Sequence, residues 1–152
     1  MAITGSTIIP TLRYHDAHAA IDWLESVLGF TRKAVYEGPN KTVAHAELTR
    51  GRGMVMLGSV TDADTAYARR WIDLKETGGR ETSGFYVITE SDDECVAVYE
   101  RAKAAGAKIV QELTSPSYGG KSFTCCDPEG HAWSLGSYNP WNEHAPAAEG
   151  TA

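Results

Sequence analysis

Asp127-Pro128-Glu129-Gly130-His131-Ala132-Trp133-Ser134-Leu135 closes the second of two passages that run through the same order of elements. Its first four residues spell a turn: Pro suits the second position, Asp at the first bonds forward to the backbone, and Gly ends it. Strand-like runs flank the turn at 122–126 and 132–137. Working back, another strand-like run at 108–112 follows a helix that Ser91 or Asp92 caps. That helix has an apolar stripe of Cys95, Val98, Tyr99 and Ala102 and a stop at Gly106. The passage opens on a run at 85–89.

The same order occurs earlier in the chain. A run at 8–14 leads to a helix capped by Asp16, with Ile21, Leu24 and Leu28 on one stripe and Gly29 closing it. Runs at 42–48 and 54–57 follow. Asp16 to Asp93 and Gly29 to Gly106 repeat at one offset, 77 residues in both cases. The pattern predicts an α+β chain of two β-α-β-β-β modules, at 1–59 and 83–138. Residues 60–82, with Trp71 and Leu74 among many charges, are expected as a linker with room for a short helix. Residues 139–152 read as a tail, anchored by Trp141 and disordered at its end.

The 152 residues suffice for a substantial core. Fourteen basic against 20 acidic side chains, a net charge of −6, give no broad attraction to nucleic acid or anionic lipid. No apolar run approaches the roughly 18 residues of a membrane span and no leader pattern opens the chain, so a soluble, cytoplasmic protein is expected. Three cysteines, two of them adjacent, make a poor disulfide framework, and no Cys-x-x-Cys pair exists.

Set beside these modules, the sequence resembles the vicinal oxygen chelate superfamily of glyoxalases, extradiol dioxygenases, fosfomycin-modifying proteins and bleomycin-resistance proteins. The resemblance rests on 9–16 (Ile-Pro-Thr-Leu-Arg-Tyr-His-Asp), 20–24, 27–30 (Val-Leu-Gly-Phe), 46–48, 102–107 and the closing Asp127-Pro128-Glu129-Gly130. It implies a curved, cup-like mixed sheet with helices on the convex face and ligand on the concave side. It also implies a divalent metal held by His and Glu at four positions. Here those positions are Ile9, Met56, a residue of the 85–87 run (Phe85, Tyr86 or Val87), and Ser134. None offers an imidazole or carboxylate, so no metal or other cofactor is expected.

A relocated metal, or a metal-free proton-transfer site, has one candidate. Alternation in 43–48 puts Val43, His45 and Glu47 on one face and Ala44, Ala46 and Leu48 on the other. His45 and Glu47 are therefore the weak catalytic candidates, with a polar pair lining a pocket as the plainer reading. His15 and His18 are expected at the surface, His131 away from the cup, and His144 in the tail. Gly119-Gly120-Lys121-Ser122 lacks the upstream glycine of a phosphate loop, which would be residue 115, here Ser115. Ser134 has no base beside it. One of Cys125 and Cys126 is expected to face inward, with no cation in view to make it a thiolate.

The expected ligand-binding set is Ile9, Thr11, Arg13, His45, Glu47, Met54, Met56, Phe85 and Ser134, an apolar lining with few polar groups that suits a flat or amphipathic small molecule. Trp23 and Trp133 are expected in the core. Pro10, six residues before Asp16, matches the bleomycin-resistance-like branch, whose members also lack the metal ligands. That resemblance implies a homodimer with grooves at the interface. Metal-independent binding, possible sequestration of a cationic ligand given the net charge, is the first expectation; a lyase, isomerase or dioxygenase around His45 and Glu47 is the second.

Overall fold

The computed structural model describes residues 1–142; His144, Pro146 and the 147–152 run lie outside that range. The first module comprises β1 (Thr11–Tyr14), α1 (Ala17–Ser26), β2 (Thr31–Glu37), β3 (Val43–Arg50) and β4 (Gly53–Ser59). The second comprises β5 (Phe85–Ile88), α2 (Asp92–Ala104), β6 (Ile109–Thr114), β7 (Ser122–Cys126) and β8 (Ala132–Gly136). Each folds into its own four-stranded sheet, in the orders β1-β4-β3-β2 and β5-β8-β7-β6. The first strand runs parallel to the last, and the other pairs are antiparallel.

The helices start and stop on local chemistry. The Asp16 carboxylate accepts the Ala19 N–H at 3.0 Å, and the Ser91 hydroxyl accepts that of Glu94 at 3.1 Å, which decides between Ser91 and Asp92 as the cap. Gly29 and Gly106 close them at φ 78° and 75°, the left-handed conformation that favours glycine. The stops keep the 77-residue offset, whereas the caps are 75 residues apart. The extra length sits at the start of α2, which has 13 residues against 10 in α1.

Each helix lays its apolar stripe on its own sheet. α1, with Ile21 and Leu24 buried, lies against β1 to β4, and α2, with Val98 and Ala102 buried, lies against β6, β7 and β8. The two layers merge into one core, in which the rings of Phe30 and Trp133 meet at 5.8 Å. Trp23 packs against this core and Trp133 is fully inside it.

Three expectations need correction. The strand at Thr31–Glu37 was absent from the expected runs because it is a mostly exposed edge strand, blunted by Arg32 and Lys33. The alternation assigned to 43–48 breaks at its start. Tyr36 pairs with His45 but Glu37 with Val43, so Ala44 is bulged out, and Val43 joins Ala46 and Leu48 in the core. Trp141 is 88% exposed and does not anchor the tail to the core of the described residues.

The turn that opened the sequence reading binds the modules together as well as shaping a hairpin. Asp127 is buried; its Oδ2 accepts from the Tyr14 hydroxyl at 2.6 Å and the Trp133 Nε1–H at 3.1 Å. Its Oδ1 accepts the N–H groups of Glu129 and His131. Glu129 takes the N–H groups of His15 (2.7 Å) and Asp16 (2.9 Å) at the entrance of α1. A second tie is Arg50, which donates to the carbonyls of Leu28 and Ile88 and pairs with Glu94 at 2.8 Å.

Candidate functional site

Because β1 alternates, Leu12 and Tyr14 enter the core while Thr11 and Arg13 face the other way. Thr11 lies beside Met56 and Arg13 beside Gly58 on β4; Glu47 lies on the other side of Met56. Together with Ala44 and His45 of β3, Thr11, Arg13, Met56 and Gly58 line a cavity of about 190 Å³. The strand pattern thus brings four of the expected ligand-binding residues to one place: Thr11, Arg13, His45 and Met56.

Gly58 is part of that geometry. A Cβ there would stand 3.0 Å from Arg13 Nη1 and 3.1 Å from the Ala44 carbonyl. The missing side chain lets the guanidinium lie against the sheet. Above it, Tyr67 and Trp71 present their rings at 5.9 and 5.5 Å from the guanidinium carbon, and meet each other edge to face.

These aromatic residues come from the segment between the modules, which folds back as turns and a short 3-10 stretch at Ala68–Arg70. It roofs a larger cavity of about 460 Å³, walled by Trp71, Ile72 and Leu74 with Asp73, Glu76, Glu129 and His131 at the polar side. Arg13 and Tyr67 line both cavities. Two carboxylates fasten the segment down. Asp73 pairs with His15, and Glu81 takes His131 Nδ1 and the Ala132 N–H, each at 3.0 Å. The Lys75 N–H and then His15 hold the Asp73 carboxyl below its usual range. His131 also faces the Arg13 carbonyl at 3.4 Å and the Tyr14 ring, so it sits between the modules. His18 pairs with Glu37 at 3.1 Å, and both are well exposed.

His45 and Glu47 do meet: Nε2 is 3.2 Å from Oε1. The other carboxylate oxygen accepts from Lys33 Nζ at 2.7 Å, and Lys33 followed by His45 holds Glu47 below the ordinary carboxylate range. Such a carboxylate is a weak base but a firm orienter of an imidazole. Met54 lies beside Thr49 near the far end of β4 and lines neither cavity. Ile9 precedes β1 and lines neither either.

The second sheet holds the other two expected residues apart from this place. Ser134 shares a 2.8 Å hydrogen bond with Thr124. Phe85 stacks on Trp133 at 4.8 Å on the core side, and it is Tyr86 that lies beside Ser134. The Tyr86 hydroxyl donates to the Tyr138 carbonyl at 2.8 Å, and burial raises its pKa. The positions corresponding to the family's metal ligands thus present alkyl, thioether, phenol and hydroxyl groups, which do not fit a divalent metal in that geometry. Among the described residues, no three His, Cys, Asp or Glu side chains gather as a metal cluster.

The thiols are equally quiet. Cys125 is in the core, and burial pushes it up to about 12. Burial also raises Cys126 and Cys95. Lys121 Nζ reaches the Ser115 hydroxyl and lines neither cavity. Among the described residues, no helix is long and apolar enough to cross a membrane.

The profile of the Glyoxalase/Bleomycin resistance protein/Dioxygenase superfamily matches residues 8–135, which is both modules and the segment between them. The chain belongs to that superfamily. Uncharacterized proteins of Mycobacterium bovis and Mycobacterium tuberculosis are each 29% identical to it over 127 residues, 84% of this chain and 80% and 71% of theirs. TioX from Micromonospora sp. ML1 shares 29% identity over 87% of this chain and 98% of its own, with a TM-score of 0.62. A lactoylglutathione lyase from Agrobacterium tumefaciens, at 20% identity, 86% and 92% coverage and a TM-score of 0.59, is similar in fold. Superfamily membership fixes the α+β architecture and leaves the reaction open.

Sequence reasoning missed Tyr67, Trp71, Ala44 and Gly58. The two aromatics lie in a segment with no periodicity, where Trp71 was the one visible signal. Gly58 shows its role only once Arg13 is placed against it.

Proposed function

We propose that this chain is a metal-independent binding protein of the bleomycin-resistance-like branch, taking a small amphipathic molecule at the Arg13 site and acting as a cytoplasmic homodimer. The observation that carries the reading is the exchange of roles on the first sheet. Met56 stands where the family carries a metal ligand and offers only a thioether, and the same surface forms a cavity lined by Arg13 and Tyr67, with Trp71 over the guanidinium. About 460 Å³ lies in the range of small-molecule pockets. The dimer is supported by the second sheet alone: Tyr86, Thr124 and Ser134 line neither cavity, which leaves that face for a second copy.

A second reading, favoured by the His45–Glu47 contact, is a lyase, isomerase or dioxygenase that uses the pair for proton transfer or a relocated metal. Elemental analysis of purified protein, with His45→Ala as control, separates the two. The binding reading expects well under one equivalent of zinc, nickel, manganese or iron, and a thermal shift with amphipathic aromatic compounds. Stoichiometric metal that vanishes in His45→Ala sinks it. Light scattering tests the dimer, and a monomer at all concentrations removes that part.

A further inference from the structure

We propose that the smaller cavity is an oxyanion site, and that the ligand is a flat organic acid whose carboxylate pairs with Arg13 while its apolar body lies along Tyr67 and Trp71. The proposal rests on the small-molecule-binding reading and names the ligand class of that site.

The charge is segregated. On a chain of net −6, the smaller cavity is lined by an Arg, a His and a Thr with no carboxylate among its walls. The acids of the larger cavity are already engaged. Asp73 holds His15 and the Lys75 N–H, Glu129 holds two N–H groups at the α1 entrance, and Glu76 accepts the Asp73 N–H. Glu47, beside the cavity in register with Met56, is taken by Lys33 and His45.

The Arg13 guanidinium, by contrast, lies between Gly58 and the rings of Tyr67 and Trp71. Among the described residues it makes no ion pair and no side-chain hydrogen bond, whereas Arg32 and Arg50 are paired with carboxylates and Arg101 with a carbonyl. Five N–H donors in a planar fork match a carboxylate better than any neutral partner. The rings offer the fork no acceptor, and Gly58 lets it settle without a side chain in the way. A cationic ligand, which the net charge alone would favour, would meet this guanidinium from either cavity.

Titration calorimetry of the full chain with 2-naphthoate, 2-naphthylmethanol and 2-naphthylmethylammonium tests the idea. The acid is expected to bind about tenfold or more tightly than the alcohol, and the ammonium more weakly than both. Arg13→Gln is expected to abolish the preference, bringing the acid to the level at which the same variant binds the alcohol. Equal binding of acid and alcohol to the wild type, or an acid preference that survives Arg13→Gln, overturns the oxyanion site while the binding reading stands. Absence of binding by all three up to about 1 mM overturns both. The wild-type comparison needs no variant, so a misfolded Arg13→Gln leaves the proposal open to refutation; Arg13→Lys, which keeps the charge and loses the fork, is expected to fall between.

Discussion

Asp127→Asn changes one atom of the buried acceptor that joins the modules. In the native chain four donors converge on the carboxylate: the Tyr14 hydroxyl and Trp133 Nε1–H on one oxygen, and two turn N–H groups on the other. An amide has a single acceptor oxygen, so its NH₂ must face one of those pairs. If it faces the turn, two backbone N–H groups lose their acceptor; if it faces the core, the Tyr14 hydroxyl can rotate to accept but the Trp133 N–H cannot. Trp133 is 1% exposed, so no water replaces the lost partner. An orphaned buried donor costs about 1–3 kcal/mol, and loss of the charge weakens the remaining bonds, giving about 2–3 kcal/mol for the variant. In a chain of this length that is a fall in Tm of about 5–10 °C. Tyr14→Phe removes one donor and leaves Asp127 with three, so about 1 kcal/mol is expected. Glu129→Gln, at a partly open site, is expected to cost less than either. The assay is urea unfolding followed by tryptophan fluorescence, with equal m-values as the check that one cooperative unit is being compared. An Asp127→Asn protein within about 0.5 kcal/mol of wild type, or no less stable than Glu129→Gln, would refute the claim that this carboxylate holds the modules together.

Arg50→Met keeps the stem but removes three hydrogen bonds at the module junction, two of them to carbonyls at Leu28 and Ile88; a loss of about 2–3 kcal/mol in the same urea assay is expected. Gly58→Ala and Gly136→Ala should each destabilise by about 1–3 kcal/mol, because the added Cβ meets a carbonyl at 3.1 Å in one case and 3.0 Å in the other. Gly58→Ala should in addition weaken naphthoate binding, which calorimetry reads. Native protein should expose no reactive thiol to a disulfide reagent at about pH 8, and three after denaturation, because burial disfavours the thiolates. The corresponding stability is complete below the ordinary thiol value of 9.0 and is lost as pH rises toward about 12, so urea midpoints should fall over that alkaline range.

The helices and their ends were legible because caps and glycine stops are local: Asp16, Gly29 and Gly106 need only their neighbours to act. β2 escaped because an edge strand has no buried face to impose alternation, and Arg32 and Lys33 spend their length on Asp22, Glu25 and Glu47 instead. The bulge at Ala44 escaped because it is defined by pairing with β2 and not by its own residues. At the site, the first-strand run gave Thr11 and Arg13, and the resemblance put Met56 beside them at a ligand position. The resemblance left Phe85, Tyr86 and Val87 open at the third position, and Phe85 lies on the core wall: α2 is longer and its cap lies two residues earlier relative to the glycine, and no signal within 85–89 fixes which residue meets Ser134. Tyr67 and Trp71 were beyond reach for a different reason. Their segment is held by His15–Asp73 and Glu81–His131, contacts between chain positions far apart.

The two modules kept one device and used it differently. Gly58 and Gly136 occupy matching places on β4 and β8, each two residues past the position where the family carries a metal ligand, here Met56 and Ser134. Each glycine leaves a hollow that a first-strand side chain enters: the Arg13 guanidinium, within 3.0 Å of the missing Cβ, and the Tyr86 hydroxyl, within 2.5 Å. In the second module that polar end is satisfied by the Tyr138 carbonyl. In the first, the polar end has aromatic rings above it and cavities on either side. A hydrogen-bonded phenol has little left to offer a ligand, whereas a guanidinium without an acceptor still has its fork to give. On the proposed reading the asymmetry gives the ligand to the first module, and the turn at Asp127 would serve that site by fixing β1, and with it Arg13, against the second.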